Sequence, residues 1–496
     1  MFIAMQGHDF HFELANVSRF FLPQESIRCG GAEEMPENGV KAYTLLEKRE
    51  KDTRLFVRLM LDDFDEQLEK TVENGGSSYQ DDCELEMATL LYYLLVKLFG
   101  FTQSWGVLTG VRPVKLLRRL TEKMGSEGAE AYFRDRLLLS PEKLQLTKTT
   151  LAAEDKLLSL SRPDSFSLYV SVPFCPTRCD YCSFVSYTVE RAVKLIPTYV
   201  ELLCEEIRRT GEIARDLGLR LETVYFGGGT PTTFTAEQLE TVMAAVDRHF
   251  DLSNLREYTV EAGRPDTVTL KKLQAIRAGG AERVSINPQT LSDEVLRTIG
   301  RRHTAGQFYD AFDLARQVGF DCINTDLIAG LPGDSVESFS RTLDGILALA
   351  PENITVHTLS LKRASNLVVE HRSELPSGDA AVRMVAETGQ RLPAAGYHPY
   401  YLYRQSRMAG NQENVGWATP GKDGLYNVYI MDETHTILGV GAGAVTKLKQ
   451  PGTHYLERIF NYKFPYEYTA DHGEMLRRKE QIYDFYAKYV TPPATK

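Results

Sequence analysis

Apolar and polar positions follow different rhythms in different parts of this 496-residue chain. In its first third the pattern is mixed. Phe10-His-Phe-Glu-Leu-Ala alternates at every second position and predicts a half-buried strand. Tyr43-Thr-Leu-Leu-Glu and Arg54-Leu-Phe-Val-Arg-Leu-Met-Leu predict two more, separated by the charged turn Lys48-Arg-Glu-Lys-Asp-Thr. Helical spacing follows over residues 84–99, 114–123 and 141–161, and Ser161-Arg-Pro-Asp-Ser reads as a linker. Beyond it the two periods alternate regularly. Strands are expected at 168–172, 223–226, 258–261, 283–286, 323–328 and 354–359. Helices are expected between them at 192–217, 236–249, 268–278, 305–318 and 336–349. Six strands joined by crossover helices predict an α/β fold with a covered parallel sheet, two units short of a closed barrel. From about Asp379 a helix to Ala395 leads into Tyr397-His-Pro-Tyr-Tyr-Leu-Tyr-Arg. The expected organisation is an α+β module over 1–162, a partial (β/α)6 barrel over 163–375 and a C-terminal α+β module over 376–496.

Composition adds few constraints. The chain is 43% hydrophobic and 25% charged, as ordinary globular proteins are, and its net charge is −10. No global field draws it to nucleic acid or an anionic membrane, so an anionic ligand needs local cations. The apolar window over 87–101 is short and contains Lys97, which predicts a buried helix rather than a membrane span. The N-terminus lacks the pattern of a signal peptide, and a cytoplasmic location is expected. Of seven cysteines, Cys29, Cys83, Cys204 and Cys322 are scattered, which suits a reducing compartment.

The other three stand together as C-x3-C-x2-C: Cys175, Cys179 and Cys182. They follow the strand Leu168-Tyr-Val-Ser-Val and the turn at Pro173. Three thiolates on one loop can hold three irons of a [4Fe–4S] cubane and leave the fourth open. A zinc knuckle or a disulfide are the alternatives. Zinc takes four ligands, and no His lies between Ser161 and Thr210.

This spacing, with Tyr181 before the last cysteine, resembles the radical S-adenosylmethionine (SAM) superfamily. The longer string Leu168-Tyr-Val-Ser-Val-Pro-Phe-Cys is similar to the opening of the oxygen-independent coproporphyrinogen III oxidase (coproporphyrinogen dehydrogenase) family. Trp105-Gly-Val-Leu-Thr-Gly-Val-Arg-Pro-Val-Lys resembles the N-terminal extension of its HemZ-type branch. Residue by residue, Arg112 and Lys115 in that phrase read better as solvated charges where Pro113 opens a helix. The resemblance implies a radical SAM partial barrel, with SAM chelating the open iron and cleaved by one electron to methionine and a 5′-deoxyadenosyl radical.

In such barrels chemistry gathers at the C-terminal ends of the strands. After the second strand comes Gly227-Gly-Gly-Thr-Pro-Thr, whose glycines let backbone approach a ligand. The resemblance assigns Gly228, Gly229 and Thr230 to the methionyl end of SAM and Glu261, after the third strand, to its ribose. It further implies SAM contacts for Tyr169, Tyr181, Gln289, Arg301 and Asp326, including those made to a second SAM. Asp326 in an apolar strand requires a donor in any case. Two departures stand out. A His of the best-known members is Ser171 here, and their fourth cysteine is Phe184.

The expected activity is oxidative decarboxylation of coproporphyrinogen III to protoporphyrinogen IX without oxygen, fed by an electron donor such as flavodoxin or ferredoxin. A tetra-anionic macrocycle calls for cations, for which Arg301, Arg302, Lys362, Arg363, Arg404 and Arg407 are candidates. The tyrosines of 397–403 suit either stacking on that macrocycle or an ordinary core. The alternatives are a haem-trafficking protein on the same scaffold and a methyltransferase or tetrapyrrole-modifying enzyme. Trafficking members carry a His-Asn pair in the C-terminal half, whereas Asn411-Gln-Glu-Asn-Val-Gly-Trp has no His.

Overall fold

The computed structural model describes residues 1–183, 187–360 and 378–490. Two compact units share the chain: Met1–Lys148 with Arg404–Gln412, and Thr149–Tyr403 with Glu413–Lys496.

The first unit is built on a five-stranded sheet. Its strands are β1 (Phe2–Gln6), β2 (Arg28–Gly30), β3 (Lys41–Lys48), β4 (Asp52–Leu61) and β5 (Phe64–Glu73), in the order β2-β1-β3-β4-β5. The helix Tyr79–Phe99 covers it with Met87, Leu91 and Leu95, all fully buried. The expected strand at Phe10 is instead the start of the helix His11–Phe21. Phe10, Leu14, Val17 and Phe21 form one buried stripe at helical spacing, while Phe12 is exposed. The short alternating run matched both periods, and burial chose the helix. Pro113 does open a helix, Pro113–Ala131.

The second unit carries the strands β6 (Ser165–Val172), β7 (Phe174–Cys175), β8 (Tyr187–Thr188), β9 (Arg220–Gly228) and β10 (Glu257–Glu261). Next come β11 (Arg283–Ser285), β12 (Cys322–Ala329) and β13 (Asn353–Thr358). The C-terminal part adds β14 (His398–Tyr403), β15 (Asn414–Ala418), β16 (Thr436–Val440), β17 (Val445–Lys449) and β18 (Leu456–Phe460). Among the described residues, β6, β9, β10, β11, β12 and β13 lie side by side and all parallel. These are the six strands that periodicity predicted, and they form an open sheet rather than a closed barrel. Thr235 and Thr304 cap the helices Ala236–His249 and Ala305–Val318 with reciprocal Gln partners, so both begin where the pattern put them.

The sheet does not stop at six strands. β16 joins β6 in parallel, and antiparallel β17 and β18 continue that edge. Antiparallel β15 and β14 extend the other edge from β13. The C-terminal segment therefore shares one sheet with the core. A buried ion pair fastens its last helix, His472–Tyr489, to Ile196–Asp216: Lys479 Nζ lies 3.0 Å from Glu206. Glu206 also accepts from the Gly441 amide, Asn461 and Tyr468, each at 2.7 Å.

Candidate active site

The strand ends of the second unit surround a cavity of about 330 Å³. Cys175, Cys179 and Cys182 line it, together with Tyr181. So do Gly228, Gly229 and Thr230 after β9, Glu261 at the end of β10, and Gln289, Arg301 and Asp326. Of the residues expected to hold cofactor, Tyr169 does not line it. Its ring stacks instead on Tyr225 and Tyr426, at 6.3 and 6.1 Å between centroids.

The glycine segment is laced to the cysteine loop. The Gly229 amide donates to Val172 O at 2.8 Å and the Thr230 amide to Phe174 O at 2.7 Å. A Cβ at Gly229 would sit 2.5 Å from Phe174 O, so this approach requires glycine. The Thr230 hydroxyl then donates to Cys175 Sγ at 3.5 Å. On the loop's other side, the Asp180 amide donates to Ile299 O at 3.1 Å and the Thr177 hydroxyl to Gly300 O at 3.2 Å. Arg301, buried, donates to Tyr181 Oη from Nε and Nη2 at 3.2 and 3.1 Å, and to Asn287 O at 2.7 Å. Burial pushes the Tyr181 phenol up, which keeps it neutral.

The two carboxylates differ in their support. Glu261 accepts from Tyr225 Oη at 2.5 Å. Burial raises its pKa to about 7, and the nearby Asp326 charge adds to the rise. Burial pushes Asp326 the same way, but His357, Asn324 and Thr355 outweigh it and hold its pKa below the usual range. Asn324 Nδ2 donates to it at 2.8 Å, and His357 Nε2 lies 3.7 Å away. The donor that Asp326 requires therefore comes from the chain itself. Gln289 takes a left-handed backbone, φ 69°, and its buried Oε1 lacks a partner among the described residues. A non-glycine residue held there, with an orphaned acceptor at a cavity wall, marks a place for a ligand donor.

The arrangement fits an iron–sulfur cluster with SAM beside it. Among the described residues no three His, Cys, Asp or Glu side chains form a group suited to a single metal ion. The three cysteines instead line one common cavity, as ligands of a multi-iron cluster do. Close backbone at Gly229, Glu261 with its single donor Tyr225, and the orphaned Gln289 oxygen supply recognition groups next to them. Cys175, Cys179 and Cys182 would be the metal ligands, and the cavity residues named above would face SAM.

Several cavity residues were not singled out from sequence: Arg264, His357, Tyr225 and Arg283. Arg264 follows the strand-end rule and was findable by it, whereas His357 is the penultimate residue of β13. Tyr225 and Arg283 lie inside strands, where periodicity treats them as core.

The cations expected to meet substrate are placed differently. Arg404 is buried in the first unit, where it donates to Leu108 O at 2.6 Å and Asn411 Oδ1 at 2.5 Å and lies 5.0 Å from the Trp105 ring centroid. It serves that core and is not a cavity residue. Arg407 belongs to the same unit. Arg302 is exposed, 3.7 Å from Glu190. Lys362 and Arg363 lie outside the described residues, as does Phe184. Ser171 does not line the cavity and donates to Ala442 O at 2.7 Å. The tyrosine run forms β14, and Tyr400, Tyr401 and Tyr403 line the cavity from it.

The radical SAM superfamily profile matches residues 169–346, the stretch from the first barrel strand to the helix before the sixth. That class supplies a [4Fe–4S] cluster and SAM as cofactors. Within it, the oxygen-independent coproporphyrinogen-III oxidase-like protein HemZ of Bacillus subtilis is 39% identical over 396 residues, spanning 78% of this chain and 79% of that one. The heme chaperone HemW of the same organism is 31% identical over 315 residues, 62% of this chain and 79% of its own. The solved coproporphyrinogen III oxidase HemN of Escherichia coli superposes with a TM-score of 0.53 at 23% identity, covering 66% of this chain and 73% of that one, a likeness of fold. The chain belongs to the coproporphyrinogen-III oxidase-like family of radical SAM proteins, in its HemZ-type branch.

Proposed function

We propose that this protein oxidatively decarboxylates coproporphyrinogen III to protoporphyrinogen IX without oxygen. One observation carries the reading: a single cavity holds the three cysteines at one side and the tyrosine wall of β14 at another. Cys175, Cys179 and Cys182 ligate the cluster. Gly228, Gly229, Thr230 and Glu261 receive SAM, with Tyr181, Gln289, Arg301 and Asp326 around it and Tyr169 supporting them through its stack. When bound, the cluster and SAM supply one-electron chemistry that removes hydrogen from a propionate side chain. Loss of CO2 and transfer of one further electron to an external one-electron acceptor leave a vinyl group, at each of two propionates. The tyrosines offer the macrocycle a flat apolar surface. A small one-electron donor such as flavodoxin or ferredoxin feeds the cluster, and a reducing cytoplasm suits a chain whose cysteines form no disulfide among the described residues. No helix among the described residues is long and apolar enough to cross a membrane.

The second reading is a haem-trafficking protein, favoured by the relatives named heme chaperones. Its cofactors are the same, so product decides. The reconstituted protein is incubated anaerobically with coproporphyrinogen III, SAM, reductant and a one-electron acceptor, and the porphyrins are separated after oxidation. Divinyl product with matching CO2 is expected. SAM cleavage without vinyl product, joined to stoichiometric haem binding, would replace this reading with the trafficking one.

A further inference from the structure

Arg264 stands three residues after Glu261, beyond the end of β10, and is 3% exposed. Its Nη1 lies 3.5 Å from Cys179 Sγ and donates to Thr177 O at 3.3 Å, while Nη2 donates to the Thr177 hydroxyl at 3.0 Å. Asp266 takes Nε at 3.1 Å and Nη2 at 3.2 Å. The backbone is pinned too, since Thr267 donates to Arg264 O from its amide at 2.9 Å and its hydroxyl at 2.7 Å.

We propose that Arg264 is a positioning residue for the cluster, one that fixes the cysteine loop and raises the reduction potential of the cluster held there. The proposal rests on Cys179 being a cluster ligand. A planar guanidinium with a carboxylate behind it holds its remaining N–H groups in a fixed fork. Here that fork grips both ends of a short loop segment, Thr177 and Cys179. Because Asp266 offsets the charge, the sulfur meets chiefly a directed N–H donor. Reduction adds negative charge to the cluster and its sulfurs, and hydrogen bonds to those sulfurs stabilise the reduced form. Removing the donor should therefore make reduction harder.

The test is a mediated redox titration of the anaerobically reconstituted full chain, followed by electron paramagnetic resonance of the reduced cluster. The midpoint of Arg264→Gln should shift to more negative potential, with Arg264→Lys between it and wild type. A midpoint is read on whatever fraction of chains is loaded, so weaker iron retention does not hide the shift. A loaded Arg264→Gln variant with a wild-type midpoint overturns the proposal. If that variant retains no cluster, Asp266→Asn decides: it removes the counter-charge behind the fork and should move the midpoint to more positive potential. An unshifted or more negative value there also overturns it. A wild-type chain that takes up no iron would overturn the cluster assignment instead, which is a separate failure.

Discussion

At the scale of single residues, the two cavity carboxylates make opposite predictions. Asp326 is satisfied by its neighbours, whereas Glu261 has one hydrogen bond and a pKa near 7. The folded chain therefore keeps a proton on Glu261 that the unfolded chain has already released. The stability this neutral carboxyl contributes is complete below its usual pKa of 4.5 and is lost as pH rises through about 7. The Tm of the apo-protein should fall between about pH 5 and pH 7 by more than that of Glu261→Gln. Above about pH 7, where Glu261 is ionised, the same variant should bind SAM more weakly by roughly one to two decades, the worth of a charge-assisted hydrogen bond. Equal affinity would remove Glu261 from the cofactor site. Cys179→Ala, tested by iron content after anaerobic reconstitution, should lose the brown chromophore and the roughly four irons a single cubane carries. Cys322→Ala should keep both, because Cys322 sits inside β12 against Asn353.

At the scale of elements, the joint between the cysteine loop and the glycine segment carries the site. Gly229→Ala pushes a methyl against backbone at Phe174, which cannot swing aside. It should cost about 1–3 kcal/mol of stability, as overpacking does, and lower cluster retention with it. Thermal unfolding and iron content, measured together, check this. Arg404 belongs to another element and another role. Arg404→Ala should destabilise the protein by roughly 2 kcal/mol or more through its lost buried hydrogen bonds, and leave the Michaelis constant for substrate near wild type. A raised Michaelis constant at unchanged stability would return it to the substrate site.

At the scale of the second unit, the sheet has grown at both edges and a buried pair locks one of them. Lys479 and Glu206 are both fully buried, and breaking one side leaves an uncompensated charge. Lys479→Met should cost about 3–5 kcal/mol in denaturant unfolding, while Lys479→Met with Glu206→Gln should recover much of it. Comparable losses in the single and double variants would show that packing, not charge, holds the helix.

Local period and spacing were enough for the six parallel strands, the helices between them and the cysteine loop. Each of those is encoded within a dozen or so neighbouring residues by burial on one face or by capping. The rule that chemistry gathers at strand ends also pointed to the glycine segment and Glu261, which meet at one cavity. Contacts between distant segments decided the rest. Phe10 became the edge of a helix because Leu14, Val17 and Phe21 had a core to face. Arg404 turned from a candidate substrate cation into a core residue because Leu108 and Trp105, some three hundred positions earlier, surround it. Strand β16 joined β6, and Arg264 reached Cys179, through pairings that no local pattern records. A side chain's charge and shape are written in the sequence, but its partner is chosen by the fold, and that partner decides whether a buried charge is structural or free to bind.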